Sequence, residues 1–226
     1  MLRFGALALS ALACVGAVMP RRVFVSGAGG QTGQHAFRKL LARPEFTPVG
    51  VVRSEASRKA LLDTGVPAEC VVVADVMDEA AVRRVMQGCD AALICTSAKP
   101  APTGETDAAT GRPKFGFPNG QPEQVDWLGQ KHQIDAAAAQ GGNTHVVICS
   151  SMGGTDPSNM LNSLGRSTNE DGSTSGGDIL CWKRKAEKYL VESGLPYTII
   201  HPGGLLNEAG GIVIVYNIDT HLYQIL

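Results

Sequence analysis

A doubly wound α/β fold around a parallel sheet is predicted by three features of this 226-residue chain. Six short runs, at 23–26, 49–53, 70–74, 91–96, 145–150 and 197–201, are mostly continuous apolar stretches, as strands buried on both faces are. Patterns of helical period lie between them, and a strand that returns parallel to its neighbour needs such a crossover. A glycine-rich turn follows the first run. The length suits one domain with one sizeable core.

In the first run, VFVS leads directly into glycines at 27, 30 and 33. Gly27 lets the chain turn sharply, Gly30 lets the backbone approach a phosphate, and Gly33 lets the following helix pack close to the sheet. A strand, a tight turn and a helix start together aim backbone N–H groups and a helix dipole at a pyrophosphate. In that first helix Phe37, Leu40 and Leu41 share a face. Val82, Val85 and Met86 mark another, with Asp78 as N-cap and Gly88 as its stop. Ile134 begins an alanine-rich run that Gly141 and Gly142 end. Trp182, Ala186, Tyr189 and Leu190 form the last amphipathic stripe, ahead of Gly194.

Two segments break the rhythm. Residues 99–124 and 152–178 are rich in Gly, Pro, Ser, Asn and Asp, and each follows the carboxyl end of a strand. Loops of that length are either lids or disordered inserts, and ligands of such sheets bind beside them.

Residues 1–20 have Arg3, an apolar run and small residues near Ala17, the outline of a targeting or leader segment too short for a stable membrane span. The fold is expected to begin at Arg21. A formal net charge of -1 with no block of like charge points away from nucleic acid and anionic membranes and toward a small-molecule substrate. Cys70, Cys95 and Cys149 sit in apolar runs without a C-x-x-C pair, so they read as reduced packing residues. Histidines and acids lack metal-ligand spacing, and there is no G-x-S-x-G elbow, which leaves metalloenzyme and hydrolase readings without support.

The segments SGAGGQTG, GQPEQVDWLGQKHQIDAA, SSMGGTDP and LCWKRKAEKYLVESGLPYTIIHPGGLL closely resemble the atypical short-chain dehydrogenase/reductases of plants and algae, a group that includes sanguinarine reductase-like enzymes. The likeness runs from about residue 21 to 211 and implies a Rossmann-like NAD(P)-binding domain in the cytoplasm or plastid stroma. Relatives continue past the matching Gly-Gly with a further helix and strand. Here residues 212–226 form a divergent, β-prone tail, so the fold is expected to be C-terminally shortened, with an uncovered edge.

The resemblance implies a path for NADP(H). Gly27, Gly29, Gly30, Gln31, Thr32 and Gly33 form the phosphate turn. Arg53 ends the second run where such folds choose the ribose partner; a guanidinium there offers a planar fork to the 2′-phosphate, with Ser54 and Arg58 as helpers, or is simply an exposed strand-end arginine. Asp75 and Val76 match the adenine edge, although Asp75 equally suits a turn or helix cap. Thr96, Ser97 and Ala98 lie along the ribose and diphosphate, and Pro202 and Gly203 form a turn beside the nicotinamide.

For catalysis the resemblance assigns Ser151 to substrate polarisation, Asp156 to charge or proton handling and Lys183 to the nicotinamide ribose. Each has a plainer reading: a strand-end hydroxyl, a D-P turn and a solvated helix face. Typical members place a Tyr four residues before the Lys. Here Ile179 or Cys181 stands there, counting from Lys183 or Lys185. Hydride transfer to an already electrophilic carbon dispenses with that acid. The expected activity is therefore NADPH-dependent reduction of a planar, electron-poor quinone, flavin or iminium; the competing expectation is a non-catalytic NADP(H) sensor of NmrA-like type.

Overall fold

The computed structural model describes residues 19–106, 111–169 and 171–205. Of the leader expectation only Met19 and Pro20 fall within them, and the tail expected at 212–226 lies outside them. Along the chain run β1 (Arg21–Ser26), α1 (Gln31–Leu41), β2 (Phe46–Val52), α2 (Glu55–Leu62), β3 (Val71–Val73), α3 (Glu79–Met86) and β4 (Ala91–Ile94). A hairpin of β5 (Ala101–Thr106) and β6 (Pro113–Gly116) follows, then α4 (Gly129–Ala138) and β7 (His145–Cys149). A small hairpin of β8 (Ser167–Thr168) and β9 (Thr174–Ser175) precedes α5 (Ile179–Glu192) and β10 (Tyr197–Ile200).

Six strands pair in parallel in the order β10-β7-β4-β1-β2-β3. The chain thus builds outward from β1 in one direction, then returns to β1's other side with β4 and builds the opposite way. Crossovers on both faces explain why the strands read as apolar runs. Phe24 packs with Val82, Met86, Ile134, Ile148 and Leu190 beneath α3, α4 and α5. Its neighbour Val25 points the other way, to Phe37 and Leu61 of α1 and α2. Local signals act as expected at α3, where the Asp78 carboxylate accepts the Ala81 N–H at 3.0 Å.

Three elements depart from the sequence reading. The eight-residue α2 went unread because it buries Leu61 alone, too little for a visible stripe; Ser54 caps it by accepting the Ser57 N–H at 3.2 Å. The helix expected from Ile134 starts at Gly129 and is entered through a π-helical turn, Glu123–Leu128. The two long loops carry regular structure and pack on each other, with Phe117 and Leu164 joining Ala98, Ile179 and Leu180 in a small third core. Among the described residues, no helix is long and apolar enough to cross a membrane.

The β1–α1 turn is the tightest part of the frame. Gly27 has φ +66°, and a Cβ there would lie 2.7 Å from the Cys95 carbonyl oxygen. A Cβ on Gly33 would collide with the Gly27 carbonyl. Gly33→Ala should therefore destabilise the chain by about 1–3 kcal/mol in urea unfolding. Gly29→Ala, whose methyl would sit 3.4 Å from a Val52 methyl, should cost less than about 0.5 kcal/mol; equal losses would contradict the packing described.

Candidate cofactor and substrate site

Reversal of strand order between β1 and β4 opens a crevice at their carboxyl ends, because the crossovers on either side diverge there. It holds a cleft of about 570 Å³. Its floor is the phosphate turn, Gly27, Gly29 and Gly30; one wall is Arg53, Asp75 and Val76, and the opposite wall Thr96 and Ser97. Eight of the residues singled out in the sequence therefore converge. Ser57, Lys99, Asn119 and Gln124 also line it and were not foreseen.

The turn suits a diphosphate on its own geometry. Gly30 is the N-cap of α1 with no side chain to bond the helix start, and the first turn has no acidic residue. The Gly30 N–H is spent on the Gly27 carbonyl at 2.8 Å, and the first helical bond runs from Gln34 to Gly30. The amides of Gln31, Thr32 and Gly33 thus have no partner within the helix, which is the arrangement that receives an anion. Gln31, Thr32 and Gly33 are not among the residues lining the cleft; what the first two offer it is their backbone, and Gly33 the close packing already described.

Arg53 is exposed at the end of β2 and donates from one guanidinium nitrogen to the Asn119 carbonyl at 2.5 Å, tying the loop after β6 across the cleft. Ser54 is occupied in capping α2. Arg58 turns to the carbonyls of Val71, at 3.3 Å, and Ala68, at 3.5 Å, and is not part of the wall. Asp75 accepts the Met77 N–H at 2.9 Å, so its turn role and its place on the wall coexist. Cys95 also lines the cleft; burial, with the neighbouring Cys149 adding to it, pushes its thiol up to about 12, which makes it wall rather than nucleophile.

Behind the Thr96 and Ser97 wall, where Ala98 is buried and does not line the cleft, lies a polar layer. Gln133 donates to the Gly129 carbonyl at 2.8 Å and to the Thr96 hydroxyl at 3.4 Å. Ala98, itself buried, donates its N–H to Asp126 at 2.9 Å. Lys183 points into this layer, its ammonium 2.8 Å from the other Asp126 oxygen. It is not among the residues lining the cleft.

A second cleft, of about 460 Å³, lies at the ends of β7 and β10 and is lined by Ser151, Met152, Gly153, Leu161, Pro202 and Gly203 among others. Its two strand ends are braced from behind by Glu187 of α5. That buried carboxylate accepts from the Ser150 hydroxyl, from His201 Nε2 at 3.0 Å and from Arg184 at 2.7 Å. Asp156 stands apart, exposed and lining neither cleft. The Ser158 hydroxyl and N–H bond its carboxyl, and they hold it below its ordinary value.

A family model described as NAD(P)H-binding matches residues 27–223. Sanguinarine reductase of Eschscholzia californica is 45% identical over 210 residues, which cover 84% of this chain and 71% of that protein. An uncharacterised chloroplastic protein of Arabidopsis thaliana is 44% identical over 196 residues, covering 85% of this chain. The chain spans 56% of that relative's length. Among solved structures, ChuY, described as an anaerobillin reductase of Escherichia coli O157:H7, aligns with TM-score 0.55 at 21% identity over 82% of this chain and 74% of its own, a likeness of fold. The chain accordingly belongs to the NAD(P)H-binding family, in the atypical short-chain dehydrogenase/reductase group that its motifs resemble.

Proposed function

We propose that this protein is an NADPH-dependent reductase that passes hydride to a planar, electron-poor small molecule of quinone, flavin or iminium type. The observation that carries the reading is the pairing of two clefts at the carboxyl end of one sheet: one of mixed polar and apolar lining on the phosphate turn and a mainly apolar one opening at Ser151. The 45% identity to a sanguinarine reductase supports the same class of acceptor.

The residues that would hold NADPH are the amides of the α1 start for the diphosphate, Arg53 for the 2′-phosphate, Val76 for the adenine and Thr96 with Ser97 for the ribose side. A bound NADPH supplies the hydride. Met152, Leu161 and Pro202 would give the acceptor an apolar face in the second cleft, and the Ser151 hydroxyl, which donates to the Met152 carbonyl at 3.2 Å, would turn to donate to the negative charge that develops on a quinone or flavin acceptor. No phenol is positioned before Lys183, and Asp156, bonded to Ser158, is a poor proton donor. Those facts favour acceptors that take hydride without concerted protonation.

The same missing phenol, with Lys183 drawn back to Asp126, favours as second reading an NADP(H) sensor of NmrA-like type. Chloroplastic relatives support the plastid as its compartment, with residues 21–211 as the cofactor domain.

Steady-state NADPH oxidation against a panel of quinones, flavins and iminium alkaloids separates the readings: turnover of at least one supports the reductase, and tight NADPH binding without turnover supports the sensor. Arg53→Asp should weaken NADPH far more than NADH, by about 10²-fold against less than about threefold, since it exchanges a charge-assisted fork for like-charge repulsion. Equal losses in fluorescence titration would refute the 2′-phosphate contact. Ser151→Ala should lower turnover about 10–10³-fold with NADPH affinity nearly unchanged. Full activity would remove Ser151 from the chemistry.

A further inference from the structure

We infer that Asp126 is a positioning residue for the cofactor site, which fixes the Lys183 ammonium behind the end of β4 and keeps it charged. The inference rests on the reading that NADPH lies along that strand end. Asp126 is fully buried and the Lys183 side chain is 8% exposed. One carboxylate oxygen of Asp126 lies 2.8 Å from Lys183 Nζ, and the other accepts the Ala98 N–H at 2.9 Å. A single buried carboxylate thus joins the lysine of α5 to the backbone of Ala98, between the lining residues Ser97 and Lys99.

The local fold is arranged around that junction. Asp126 sits in the π-helical turn Glu123–Leu128, whose wider winding departs from the register of α4. Gly129 ends the turn against the wall, since a Cβ there would lie 2.9 Å from a Val76 methyl. The same turn supplies Gln124 and Val125 to the cleft lining. Asp126 is therefore clamped between two segments of the cofactor site and the helix that carries Lys183.

Charge makes the contact consequential. A buried ammonium without a counter-ion gives up its proton far more readily than one in water. Asp126 faces Lys183 from the π turn. The Cys149 thiol, at the end of β7, is close enough for Lys183 to act on it electrostatically, and it is neutral because burial pushes it up. One turn along α5, Glu187 is committed to Ser150, Arg184 and His201. Asp126 is the carboxylate paired with Lys183 among the described residues, so removing its charge alone leaves the ammonium buried without a counter-ion. An ammonium near a bound dinucleotide attracts its anionic groups, and a neutral amine does not. NADPH affinity should then fall as pH rises.

Fluorescence titration of NADPH from about pH 6.5 to about pH 9 tests this without any turnover. Wild type should bind with nearly constant affinity. Asp126→Asn should bind within about threefold of wild type at the acid end and lose at least about tenfold toward the alkaline end. Adding Lys183→Arg to that variant, a cation that keeps its proton, should flatten the profile again. A merely structural Asp126 would give a loss independent of pH that Arg does not repair, and that result overturns the inference. Should Asp126→Asn not fold, Asp126→Ser, which also removes the charge, is the second variant: an alkaline loss supports the charge-holding role, and a flat profile overturns it. Wild type that binds no NADPH at any pH would overturn the cofactor reading and this inference together, whereas normal wild-type binding with a flat Asp126→Asn profile overturns this inference alone.

Discussion

At Gly27 three backbone segments meet with no room for a side chain, and the rest of the site depends on that contact. The end of β1 turns there against the Cys95 carbonyl of the strand-end beside it and under the start of α1 at Gly33. Closeness on both sides brings the β1 turn and the β4 end to the two edges of one crevice, and it leaves the α1 amides open. A methyl group at Gly33 would push the helix away and spread the amides that receive charge. Packing and ligand recognition are one constraint here, which is why the glycines serve the frame and the site together.

The crevice is partly polar for a second reason. A layer of buried polar side chains, Asp126, Gln130 and Gln133, backs its walls where an apolar layer would pack more simply, and Glu187 does the same behind the second cleft. Such groups cost desolvation unless bonded, and their bonds fix positions: Asp126 holds Ala98 and Lys183, Gln133 holds Thr96, and Glu187 holds Ser150 and His201. Each anchor lies at or beside a strand end facing a cleft. The two loops close over this floor, with Arg53 meeting Asn119 and Phe117 packing near Leu164.

Much of this was legible in the chain because its signals are local. Continuous apolar runs gave the six strands, turn glycines gave the phosphate loop, and the position of Arg53 after Val52 placed it on the cleft wall. Signals that depend on distant residues were hidden. Asp126 and Glu187 look like solvated helix acids in sequence, since their partners come from other elements. Asn119 acts through a carbonyl, which no side-chain reading reveals. Ser57 was masked by Ser54, the capping residue one helical turn earlier. Lys183 was read as a ribose ligand from its place in the motif, and the buried layer that receives its ammonium could not be seen without Asp126.

The central claim is that NADPH lies across the strand ends between the β1 turn and the loop after β6. Hydrogen–deuterium exchange of the wild-type chain with and without NADPH tests it most directly. The account predicts slowed exchange confined to the α1 start at 29–33, the Arg53 strand end, 96–99 and the loop at 119–124. Protection that falls elsewhere on the sheet while these segments are unchanged would contradict it.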